Sequence, residues 1–159
     1  MFDVREFFAA FARARPRDPF ERGVAALERG EPRRAIAEFE AAFEEAADDA
    51  RRATLHNKRG VALIACNERD AALDAFARAL DVDERCAAAL VNLGNLFFED
   101  GHVADALDYY EAAIRADPAY ALAHRNLGVA LKRLGRRSEA VRALRTASRC
   151  EGRRRSKRS

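Results

Sequence analysis

The sequence predicts an all-α fold, a right-handed α-solenoid of helix–turn–helix repeats behind an N-terminal capping helix. Three observations carry that prediction. Gly94, Ala106, Tyr110 and Ala113 return 34 residues earlier as Gly60, Ala72, Phe76 and Ala79, and 34 later as Gly128, Ala140, Leu144 and Ala147. Each copy holds two apolar stripes at helical spacing, parted by a short polar turn such as Glu99-Asp100-Gly101-His102. The composition, 49% apolar and 35% charged over 159 residues, suits one sizeable core under a solvated surface.

Residues 1–15 read as an amphipathic helix with Val4, Phe7, Phe8 and Phe11 on one stripe, opposite Glu6, Ala9 and Arg13, and Pro16 ends it. Two roles stay open for that stripe. It caps the first repeat, since a solenoid must cover its ends, or it recruits a partner, a second copy or a membrane surface.

Asp18-Pro19-Phe20-Glu21 is a helix start: Asp18 accepts from free amides, Pro19 needs no partner at that place, and Glu21 reaches back. Gly23, Gly30, Ala35, Phe39 and Ala42 then mark a first repeat over about 16–49. Its second helix is expected to run long through Ala50, Arg51 and Arg52, three residues that fall outside the register.

The second repeat, 53–86, keeps Gly60, Leu63, Ala72, Phe76 and Ala79, with Arg59 at the place of Leu93 and Glu84 at that of Pro118. Arg22 makes the same departure in the first repeat, and a long Arg stem can cover apolar surface while its head reaches water. The third repeat, 87–120, is the best formed: Gly101 is expected to stop its first helix and Pro118 to open the next. The fourth, 121–154, keeps Leu127, Gly128, Leu131 and Gly135 and closes on Ser148 and Cys150, polar enough for a last helix with no successor. Together the repeats make one domain over 16–150, followed by a basic tail, 151–159, whose composition predicts disorder. Gly94 and Ala106 are expected where two helices approach most closely, with Tyr110 and Ala113 turned to the neighbouring repeat.

Leu93-Gly94, Phe97, Ala106, Tyr110, Ala113 and Pro118, with Leu90 where Trp is frequent, resemble the tetratricopeptide repeat (TPR) family. The resemblance implies a non-enzymatic scaffold that binds a peptide or protein segment in a concave groove lined by the first helix of each repeat. It also implies that groove asparagines grip an extended backbone, because a carboxamide both donates and accepts. Matching positions carry Asn92 and Asn126, with Asn57 and Asn95 nearby. Val61, Ile64, Val91, Phe98, Leu122 and Val129 would supply apolar pockets, and Arg125, Lys132 and Arg133 turn the lining basic toward the C-terminus. The expected ligand has apolar anchors and an acidic end. Of the carboxylate-clamp positions of chaperone adaptors, filled here by Asn57, Val61, Asn92, Leu122 and Asn126, only Asn92 fits, so a clamp of that kind is not expected.

No catalytic arrangement, metal-ligand set or cofactor motif emerges from the sequence. His56 and His124 occupy equivalent places in a first helix, which argues for packing, and His102 falls in a turn. Cys66, Cys86 and Cys150 are widely spaced and odd in number, consistent with reduced thiols in a cytoplasmic protein. The most apolar run, 86–98, is too short to span a membrane, and early charges leave no secretory signal.

Charge divides the chain. Residues 1–120 hold 16 Lys or Arg against 24 Asp or Glu, whereas residues 121–159 hold 13 against 2. Arg142, Arg145, Arg149, Arg153, Arg154, Arg155, Lys157 and Arg158 form a basic patch. It is a solubilising end or a tether to nucleic acid or another anionic surface, and self-assembly into a scaffold is the remaining alternative.

Overall fold

A computed structural model describes residues 18–156. The expected N-terminal helix with Phe7, Phe8 and Phe11 lies outside these residues, as do Lys157 and Arg158 and the side chain of Arg154. Eight helices fill the described residues: α1 (Pro19–Glu28), α2 (Pro32–Phe43), α3 (Asp49–Ala65), α4 (Arg69–Val82), α5 (Ala87–Glu99), α6 (Val103–Ala116), α7 (Ala121–Arg133) and α8 (Arg137–Ser156). They form four antiparallel pairs, stacked in chain order as an all-α solenoid.

The first helix starts as its sequence dictates, with Asp18 Oδ1 accepting from the Phe20 amide at 2.9 Å and Pro19 in the first turn. The first helices end in one recurring turn. At Gly101 the φ angle is +86°, and the His102 amide donates back to the Phe97 carbonyl at 2.9 Å, closing the six-to-one bond of a left-handed helix cap. The second repeat builds the same turn with Asn67 at φ +61°, the non-glycine residue that best tolerates this region.

Each pair closes on a glycine and a large residue. A Cβ placed on Gly94 would lie 2.6 Å from Tyr110 Cε1, and the same conflict recurs at Gly23 with Phe39, Gly60 with Phe76 and Gly128 with Leu144. The large side chain at the Tyr110 position therefore lies against the glycine of its own pair. The ring also faces the neighbouring repeat, as expected, since Tyr110 packs in one cluster with Ala123 and Ala130 of the fourth; what the spacing did not show is that the large residue, as well as the small one, fills the close approach within its own pair.

Phe39 anchors a cluster that joins the first repeat to the second, Phe76 one that joins the second to the third, and Tyr110 a larger one that joins the third to the fourth. First helices of successive pairs touch one another (α1 with α3, α3 with α5, α5 with α7), whereas the second helices do not meet among the described residues. The stack curves accordingly, and its inner face is built from α1, α3, α5 and α7.

Three element boundaries differ from the sequence reading. Helix α2 ends at Phe43, and the three extra residues enter α3, which runs 17 residues from a cap in which Asp48 Oδ1 accepts from the Arg51 amide at 2.7 Å. Pro118 lies in the turn before α7, whose first residue is Ala121. Helix α8 continues through Gly152 to Ser156, where composition predicted a disordered tail. A docked helix extends at little cost through arginines, which are good helix formers, whereas the composition argument weighs only burial. No helix among the described residues is long and apolar enough to cross a membrane.

Candidate functional site

The inner face is stapled by carboxamides. Asn92 on α5 donates through Nδ2 to Asn57 Oδ1 on α3 at 2.7 Å, and Asn126 on α7 donates in the same way to Asn95 Oδ1 on α5 at 2.7 Å. Asn92 and Asn126 stand at one repeat position, and each reaches back to the preceding first helix. Asn95 Oδ1 also accepts the Tyr110 hydroxyl at 2.9 Å, so one carboxamide ties three helices together. Burial, followed by the charge of Glu99, pushes the Tyr110 phenol up to about 12 and keeps it a donor.

The staple consumes half of each amide. Asn92 Oδ1, Asn126 Oδ1 and Asn95 Nδ2 have no hydrogen-bond partner among the described residues. Two acceptors therefore flank one donor along the inner face, a complement to the alternating N–H and C=O groups of an extended chain.

Two shallow recesses open beside this row. One, of about 120 Å³, is lined by Asn95, Phe98, Tyr110, Asn126 and Val129. The other, of about 130 Å³, is lined by Val61, Ile64, Phe76, Asn92, Asn95, Leu96 and Glu99. Asn95 borders both. Ile64 is 41% exposed and Val129 46%, high for branched aliphatic side chains, which leaves apolar surface ready to be covered.

The structure thus brings together Val61, Ile64, Asn92, Asn95, Phe98, Asn126 and Val129 from the expected groove. It removes Val91, which has no exposed surface and lies in the core joining the third and fourth repeats. Asn57 is buried as well, serving as the partner of Asn92. Leu122 and Lys132 are exposed but border neither recess.

The expected basic lining is partly engaged. Arg125 forms an ion pair with Glu151 on α8 and takes, in the repeat frame, the inter-repeat position of Val91. Arg133 lays its guanidinium 5.0 Å from the Phe98 ring centre and reaches the Phe98 carbonyl at 3.5 Å, forming a cationic lip on the first recess. Phe76 and Tyr110, which sequence reasoning left out of the groove, form part of its floor. The signal was present in the glycine opposite each ring: without a Cβ at Gly60 or Gly94, the second-helix aromatic reaches through to the first-helix face.

Other reactive groups are placed by packing. The His56 ring stands 4.6 Å from Phe43, centre to centre, and burial, then Arg78 and Arg59, push its pKa down. His124 Nε2 lies 3.0 Å from the Pro118 carbonyl. Cys66, Cys86 and Cys150 are free thiols, and burial pushes Cys86 up. Among the described residues no three His, Cys, Asp or Glu side chains gather as a metal site.

Comparison with known proteins places this geometry. The family described as "Tetratricopeptide repeat" matches residues 57–121 and again 91–151, more than half of the chain. A Hordeum vulgare protein named as a probable UDP-N-acetylglucosamine–peptide N-acetylglucosaminyltransferase, SPINDLY, is 36% identical over 77 residues, which are 48% of this chain and 8% of that protein. The crystal structure of MamA superposes with a TM-score of 0.68 at 25% identity, covering 94% of this chain and 87% of that one. The second TPR of Spaghetti (RPAP3), solved bound to the HSP90 peptide SRMEEVD, superposes with a TM-score of 0.57 at 21% identity, covering 62% of this chain and 91% of that one.

Proposed function

Because the chain belongs to the tetratricopeptide repeat family, we propose that it is a non-enzymatic adaptor whose inner face binds an extended peptide or protein segment. One observation carries this reading: two apolar recesses share Asn95, with unpaired amide atoms of Asn92, Asn95 and Asn126 set between them. The backbone of an extended segment satisfies those atoms, and its side chains enter the recesses against Val61 and Ile64 at one end and Phe98 and Val129 at the other. An acidic residue of the ligand meets Arg133 over Phe98, with Lys132 next to it in sequence. A peptide bound to a TPR domain of the same fold supports this class of partner.

The test uses positions whose loss leaves the fold intact. Peptides selected from a displayed random library by the wild-type chain are titrated against an Ile64→Glu, Val129→Glu variant. Both residues are exposed, so the helices tolerate the change, and an unpaired charge in each recess should weaken binding at least about tenfold. Equal affinity for both proteins would place the ligand elsewhere.

A further inference from the structure

We infer that the outer face of α8 is a docking ridge for the phosphodiester backbone of nucleic acid, separate from the groove and independent of what the groove binds. Arg142, Arg145, Arg149 and Arg153 are exposed and share one helical stripe, roughly 16 Å long at 1.5 Å per residue. Neighbours on the stripe rise about 4.5–6 Å apart. Among the described residues no carboxylate lies at ion-pair distance from any of the four. Only two acids occur in residues 121–159: Glu139 is gripped by Arg136 at 2.7 Å and Glu151 by Arg125. Glu139 feels Arg142 as well, but its oxygens are already bonded.

The stripe is particular to this helix. At two of the equivalent outer positions of α6 stand Asp108 and Glu111, 34 residues before Arg142 and Arg145, so the charge inverts there between adjacent second helices, while Arg115 precedes Arg149 with the same sign. That inversion selects among polyanions. A flat anionic membrane laid on α8 would press on the exposed Asp105, Asp108 and Glu111 of the neighbouring ridge together, whereas a single narrow strand following α8 meets fewer of them, chiefly Glu111, which borders one recess with Arg142. The extension helps, because α8 has 20 residues against 14 for α6 and its last turns continue past the length of its neighbour. Arginine forks match phosphate oxygens two by two. No aromatic side chain stands on α8, so bases have nothing to stack on and binding is independent of sequence.

Fluorescence anisotropy with a labelled oligothymidylate, over about 50 to 200 mM salt, tests the inference on the full chain. Affinity should fall steeply with salt. An Arg142→Gln, Arg145→Gln, Arg149→Gln variant should bind at least about tenfold more weakly at low salt, and its salt slope should flatten by about 2, the share of three phosphates on a single strand. Asp108→Lys, which removes an acidic neighbour, should instead tighten binding, and that gain does not depend on the triple variant folding. A parallel arm uses phosphatidylcholine vesicles containing phosphatidylserine. Oligonucleotide binding that is absent, or unchanged in both variants, overturns the inference, and so does binding to the vesicles alone.

Discussion

Gly94 and Tyr110 each require the other's size. Gly94→Ala improves helix propensity by about 1 kcal/mol, but the new methyl meets a ring that is 2% exposed and held through its hydroxyl. Overpacking of this kind costs about 1–3 kcal/mol, so the clash wins and urea denaturation should show a net loss. Tyr110→Phe keeps the ring and removes only the bond to Asn95, for an expected loss of about 1 kcal/mol. The same phenol makes stability sensitive to alkali. Its folded pKa is raised to about 12 from an ordinary value near 10, so its contribution is complete below the unfolded value and disappears as pH rises through the folded one. Tyr110→Phe should flatten that part of the decline. The repeat spacing made Gly94 and Tyr110 visible in the sequence. Their contact was not, because spacing locates two positions on their helices without saying which side chain fills the gap.

Helices show the same division between what a pattern fixes and what packing adds. Asp18-Pro19 announced the start of α1 because the signal is local: one carboxylate, one amide, one ring that needs no donor. The end of α8 has no such signal. Composition predicted disorder from residue 151 onward, yet Gly152 lies inside the helix with no neighbouring atom within 4 Å of where a Cβ would stand. Gly152→Ala should therefore stabilise α8 by up to about 1 kcal/mol, read as increased helicity by circular dichroism, the opposite sign from Gly94→Ala. Gly101 differs again, since its φ of +86° is costly for any side chain. Gly101→Ala should lower stability by about 1 kcal/mol in thermal melts, although the space beside it is empty. Pro118 opened no helix because a residue with no N–H fits the preceding turn equally well.

For the molecule as a whole, recurrence at 34 residues sufficed for the architecture, because each pair buries its apolar face only against the next. The groove was legible in outline through Val61, Ile64, Asn95, Phe98 and Val129. Val91 and Asn57 misled because a first helix has an inter-repeat side as well as an inner one, and apolar and amide residues serve both. Nor does sequence reveal how much of each asparagine remains after the staple, and on that remainder rests the proposal that a row of half-used amides beside two apolar recesses holds an extended chain. Its most direct test is the side-chain amide NMR signal of Asn95 during titration with a peptide selected by the wild-type chain. This signal should shift progressively, together with the methyls of Ile64 and Val129, while the outer faces of α4 and α6 stay still. Saturable binding that leaves Asn95 unmoved and perturbs those outer helices would contradict it.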